Sequence, residues 1–278
     1  MPVDSVRAGL FQGPLTSSDS FASVEFNLDA IASAAQEAAA SGANILVTPE
    51  MSATGYDIGE LVSQRAEPAD GPIFDSIAEI ARSAGIAVVY GYPERVGGDI
   101  YNSVQAVDRD GRSLANYRKT HLFGAFDRGQ YTAGDTLVVG FDLEGIRCGL
   151  LICYDVEFPE AVRAHADAGT QWLIVPTGLM MPFEHIAQHV VPARAYESQM
   201  FLTYVNRCGT ETELTYCGLS CAISPDGREL TRASDGRELL FADISASSLA
   251  HSRSVNTHLD DRRLDLYSDL HTSRENRR

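Results

Sequence analysis

Residues 146–160, IRCGLLICYDVEFPE, read as an apolar strand that ends on a cysteine, Cys153, followed by a helix that starts near Pro159. Immediately before it, LVVGFD (137–142) forms the other arm of a hairpin whose turn is Glu144-Gly145. Further upstream, YNSVQAV (101–107) and SLANYR (113–118) flank the turn residues Asp108 to Arg112, and Lys119 falls where the second of these strands ends. The strand IAVVYGY (86–92) follows Gly85 and a helix that opens at Pro72 and carries Ile73, Ile77 and Ile80. Before that, NILVT (44–48) is a short buried strand closed by Pro49, which leaves Glu50 at its C-terminal end.

The N-terminal part follows the same alternation. VRAGLFQ (6–12) reads as a strand, Ser17, Ser18, Asp19 and Ser20 offer N-cap oxygens, and Val24, Leu28, Ile31, Ala35 and Ala38 mark one helical face that Gly42 ends. Downstream, strands are expected at QWLIVPT (171–177) and MFLTYVN (200–206), with a helix from about Phe183 to Ser198 between them. A hairpin then turns at Pro225-Asp226-Gly227. Buried strands mixed with hairpins and helices indicate an α/β sandwich and not a purely parallel sheet.

Composition fits such a core. Of 278 residues, 44% are apolar and 22% are charged, and no internal repeat or linker divides the chain. One domain is expected over residues 1–250, followed by a polar arm over 251–278 placed at a subunit interface. Lys and Arg number 22 against 38 Asp and Glu; the net charge of −16 argues against nucleic-acid or membrane-surface partners. With no signal-like start and an odd count of five cysteines, a cytoplasmic protein without disulfides is expected.

Glu50, Lys119 and Cys153 all fall at strand ends, and their chemistry is complementary. A thiol with a pKa of ~8.5 needs a base or cation to act as a nucleophile at neutral pH. Glu50 can take its proton, Lys119 can hold the oxyanion of a tetrahedral intermediate, and the Tyr154 backbone N–H can donate to the same oxygen. The reaction these roles describe is amide to acid plus ammonia. His185 and His189 stand four apart without an HExxH pattern, Cys217 and Cys221 form one C-x₃-C pair alone, and no P-loop is present, so neither metal nor nucleotide is expected.

TPEMSATGY around Glu50, YRKTHLFG around Lys119 and CYDVEFPE from Cys153 stand 69 and 34 residues apart. In this order and spacing they resemble the nitrilase, or carbon–nitrogen hydrolase, superfamily. The likeness continues in PTG (176–178), where Thr177 is expected to support the site, and in RAYESQMFLTYVNRCG (194–209). It implies a four-layer α-β-β-α sandwich, usually paired as a homodimer, with a cofactor-free Glu-Lys-Cys triad. It also implies a second acid after the Lys motif, where this chain has Asp127, one methylene shorter than the family's Glu. With the shorter side chain, either the substrate sits deeper or a water fills the gap; alternatively, Asp127 pairs with Lys119 or Arg128. Met180, Met181 and Phe183 after PTG resemble the small amidase or omega-amidase branch. That branch implies a small dicarboxylate monoamide such as 2-oxoglutaramate as substrate, with Arg128 a candidate cation for its carboxylate. N-carbamoyl amino acid hydrolysis, nitrile hydrolysis and a catalytically silent scaffold subunit stay open as alternatives.

Overall fold

The computed structural model describes residues 5–14 and 23–267. In chain order the first strands are β1 (Ser5–Gln12), β2 (Ile45–Val47), β3 (Ala87–Val96), β4 (Asp99–Val107), β5 (Ser113–Arg118), β6 (Val139–Leu143) and β7 (Ile146–Leu150). They are followed by β8 (Trp172–Pro176), β9 (Phe201–Val205), β10 (Cys208–Glu211), β11 (Leu214–Cys217), β12 (Cys221–Ile223), β13 (Glu229–Arg232) and β14 (Glu238–Ser245). One sheet has the order β14-β1-β2-β3-β4-β5 and the other β13-β12-β9-β8-β7-β6, with β10 and β11 a separate hairpin. Each sheet joins parallel strands at its centre to antiparallel ones at its rims.

Alternation along the strands assigns each side chain to a layer. Val6, Ala8, Leu10, Val47, Val89 and Tyr117 enter the core between the sheets, beside Leu150, Trp172 and Ile174 from the opposite sheet. Phe11, Leu46, Val88 and Tyr90, one residue out of phase, pack against helices α1 (Val24–Ala40) and α3 (Pro72–Ala84). With α5 (Pro159–Asp167) and α6 (Val191–Ser198) also contributing to the core beside the second sheet, the architecture is an αββα sandwich. The helical stripe of α1 buries Ile31, Ala34, Ala35 and Ala38, while Val24 and Leu28 at its start are half-buried.

Several local readings need correction. Ser23 is the residue that caps α1, accepting from the Phe26 N–H at 3.1 Å; the candidates Ser17 to Ser20 lie outside the described residues. The single helix expected over 183–198 is a π-helical turn, Ile186–Val190, running into α6. Pro192 lacks the N–H that would continue a regular ladder there. The segment 238–245 forms β14, which pairs with β1 along its whole length, and α7 (Ala246–Val255) follows with Leu249 buried. Among the described residues, no helix is long and apolar enough to cross a membrane.

Candidate active site

Glu50 lies three residues beyond β2, and Lys119 directly follows β5, so both come from one sheet. Cys153 comes from the other. Strand β7 ends at Leu150, and Cys153 opens a 3₁₀ turn, Cys153–Glu157, with a left-handed φ of 47°. A non-glycine residue held in this region costs energy, so the surrounding structure must impose it. Asp155 supplies that structure. Its carboxylate accepts from the Ile152 N–H (3.1 Å), the Tyr117 hydroxyl (2.8 Å) and the His121 N–H (2.8 Å), which fastens the cysteine turn to the Lys119 loop.

The charged centre is wholly buried: Glu50, Lys119 and Asp127 expose nothing to solvent. The Lys119 ammonium donates to Glu50 Oε1 at 2.8 Å and to Asp127 Oδ2 at 2.7 Å. Asn102 donates to the same Glu50 oxygen at 2.7 Å, whereas Glu50 Oε2 has no hydrogen-bond partner among the described residues. Burial works against the ammonium, but the two carboxylates outweigh it and hold Lys119 protonated well above its ordinary range. Burial pushes the Glu50 carboxyl up, Lys119 pulls it down and Asp127 pushes it up, with a net rise. Cys153 is raised by burial and by Glu50, against the pull of Lys119 and of hydrogen bonds from Thr177 and the Gly178 N–H. Burial thus favours the neutral thiol and strengthens Glu50 as a proton acceptor.

Close approach of the Glu50 turn to the neighbouring strand of its own sheet needs a small residue. A Cβ at Gly91 of β3 would come 2.4 Å from the Met51 nitrogen, so only glycine lets the Glu50 turn lie on that strand. From the other sheet, Arg207 donates to the Glu50 carbonyl at 3.1 Å and lies 3.4 Å from Glu211. Glu211 in turn accepts from the Asp57 N–H (2.9 Å) and the Tyr216 hydroxyl (2.5 Å). Asn206 brackets Leu179, accepting from its N–H at 2.8 Å and donating to its carbonyl at 3.0 Å. The NRCG segment thus shapes the walls around the site.

Above this centre opens a cavity of about 280 Å³ lined by Cys153, Tyr154, Tyr56, Phe123, Leu179, Met180, Phe183 and Ile186, with Glu157 and His185. Of the residues singled out from the sequence, Glu50, Lys119, Asp127 and Cys153 converge, Tyr154 and Met180 line the cavity, and Thr177 borders the sulphur with its hydroxyl 2.9 Å from that of Tyr204. Asp127 pairs with Lys119 and not with Arg128, and it also accepts from the Phe123 N–H (2.9 Å) and the Tyr56 hydroxyl (2.9 Å). Tyr56 therefore connects the cavity to an acid that does not itself line it. Arg128 is exposed, donates to the Leu122 carbonyl at 3.3 Å and stays out of the cavity. Asn102, Tyr56, Asp155 and Glu211 escaped sequence reasoning: each is a polar residue whose burial shows only in three dimensions, although Tyr56 and Asp155 stand inside the quoted motifs.

Comparison with known proteins agrees with this geometry. A family model described as Carbon-nitrogen hydrolase matches residues 7–254. The protein named Hydrolase in pqqF 5'region from Pseudomonas protegens is 43% identical, covering 96% of this chain and 93% of its own. The 2-oxoglutaramate amidase of Bacillus subtilis is 32% identical over 81% of this chain and 87% of its own. Among solved structures, a double mutant of the amidase from Nesterenkonia sp. AN1 in complex with acrylamide superposes with a TM-score of 0.86. It is 30% identical, and the match covers 96% of this chain and 98% of that one.

Proposed function

This chain belongs to the carbon-nitrogen hydrolase family and is an amidase, and from that premise we propose that Cys153, Glu50 and Lys119 hydrolyse a small primary amide through a thioester. The observation that carries the reading is the Lys119 ammonium fixed between Glu50 and Asp127 beneath the cavity that holds Cys153. Glu50 Oε2, free of any partner, takes the thiol proton as Sγ bonds to the substrate carbonyl carbon. Lys119 and the Tyr154 N–H stabilise the resulting oxyanion. Collapse breaks the C–N bond while Glu50 returns the proton to nitrogen, and ammonia leaves. Water then loses a proton to Glu50 and attacks the thioester; the sulphur departs and regains that proton, and the carboxylic acid is released and ionises in solution.

A dicarboxylate monoamide falls within this substrate class, as the name of the Bacillus relative suggests. Among the described lining residues its distal carboxylate finds only His185 as a candidate cation, since Arg128 is turned to the Leu122 carbonyl, so it is a poorer fit than an amide with a neutral or cationic end. The proposal includes a homodimer in the cytoplasm. Tyr196, Leu230 and Val255 expose apolar surface along one groove, which Ser252 and Asn256 of the C-terminal arm also border, and all five cysteines are free thiols. Ammonia release from acrylamide, butyramide and 2-oxoglutaramate, with mass spectrometry of the acyl adduct on Cys153, tests the reaction. Turnover retained by Cys153→Ala would overturn it.

A further inference from the structure

We propose that Glu157 selects the acyl half of the substrate, favouring one that offers its carboxylate an ammonium or N–H donor and disfavouring one that ends in a carboxylate. The inference rests on the amidase reading above. Glu157 closes the same 3₁₀ turn that Cys153 opens, and both line the one cavity. Its carboxylate is half-buried, yet it forms no hydrogen bond or ion pair among the described residues.

The cations nearby are committed elsewhere. Arg194, four residues into α6, spends its guanidinium on the carbonyls of Val156 (3.0 Å) and Glu157 (2.7 Å) and on the Glu197 carboxylate (2.9 Å). Lys119 is held by Glu50 and Asp127, and among the described residues no Arg or Lys lines the cavity. Of the described lining residues only the exposed His185 could bring positive charge toward it. The remaining walls are aromatic and aliphatic, so they desolvate whatever enters without neutralising it. Burial accordingly pushes the Glu157 carboxyl up despite His185, Arg194 and Lys119. A half-desolvated carboxylate without a partner gains most from a donor on the ligand, and a second carboxylate beside it is repelled.

Butyramide, 3-aminopropanamide and succinamate present a neutral, a cationic and an anionic end on chains of similar length. For the wild-type enzyme, kcat/KM measured by ammonia release should favour 3-aminopropanamide over succinamate by about tenfold or more, the equivalent of ~1.4 kcal/mol. In Glu157→Gln that ratio should fall toward unity, and thermal melts report whether the variant is folded. Succinamate used as well as 3-aminopropanamide by the wild type, or an unchanged ratio in folded Glu157→Gln, overturns the role of Glu157 while leaving the amidase intact. Silence of the wild type on all three overturns the amidase reading and this inference together.

Discussion

The unpartnered oxygen of Glu50, Oε2, lies so close to Gly178 that a Cβ there would stand 3.2 Å from it. The Gly178 backbone also pulls the Cys153 thiol down, so this glycine adjoins the proposed base and the proposed nucleophile together. Gly178→Ala places a methyl group against the oxygen that receives the thiol proton. Steady-state assays should show kcat/KM reduced on the order of tenfold to a hundredfold, with the thermal midpoint little changed.

Asn102 tunes the same carboxylate from its other oxygen, donating to Oε1 at 2.7 Å. This bond favours the charged form, so its loss in Asn102→Ala raises a carboxyl that burial has already lifted. The acidic limb of the kcat/KM profile should move to higher pH by about one unit, the equivalent of ~1.4 kcal/mol. An unmoved limb would mean that Glu50 is not the group titrating there.

Lys119 neutralises two buried acids, and removing it strands both. Lys119→Met should lose turnover on the order of 10³-fold and about 3–5 kcal/mol of stability. Adding Asp127→Asn relieves one of the stranded charges. The double variant should recover part of the stability in denaturant titrations and none of the activity, which separates the structural from the chemical contribution of the ammonium.

Glu211 gives the fold an acid-sensitive tie. Burial raises its carboxyl, but Arg207, the N–H groups of Asp57 and Tyr56 and the Tyr216 hydroxyl outweigh this and hold it below 4.5. A depressed pKa contributes stability that is fully present above 4.5 and is lost as pH falls through the lowered value. Thermal melts should show the wild type losing stability across that acidic window. Glu211→Gln should melt lower at pH 7 and lose less than the wild type on acidification.

Most of the sandwich was readable because its strands are short apolar runs bounded by Pro, Gly and Asp-Gly signals. Strand β14 was not: ELLFADIS is largely apolar but lacks a strict two-residue alternation and is only half-buried along β1, so its place at the sheet rim shows only with its partner. The convergence of Glu50, Lys119 and Cys153, the proposed triad, could be read because thiol, amine and carboxylate each stood at a strand end within a distinctive motif. Arg128 misled because sequence proximity to Asp127 says nothing about direction; on the short helix Gly124–Gln130 the rotation between neighbouring residues sends Asp127 inward and Arg128 out. Glu157 showed no signal of its own, being an acid in a polar-looking turn whose missing partner appears only once the cavity is closed around it.

Glu50 and Lys119 belong to one sheet and Cys153 to the other, and the Arg207 bond to the Glu50 carbonyl crosses between them. The proposed catalytic machinery therefore doubles as the rivet of the sandwich. A slip of one layer past its neighbour by an ångström would separate sulphur from carboxylate before any strand lost its ladder, so turnover reports the alignment of the seam more sensitively than any spectroscopic measure of strand content.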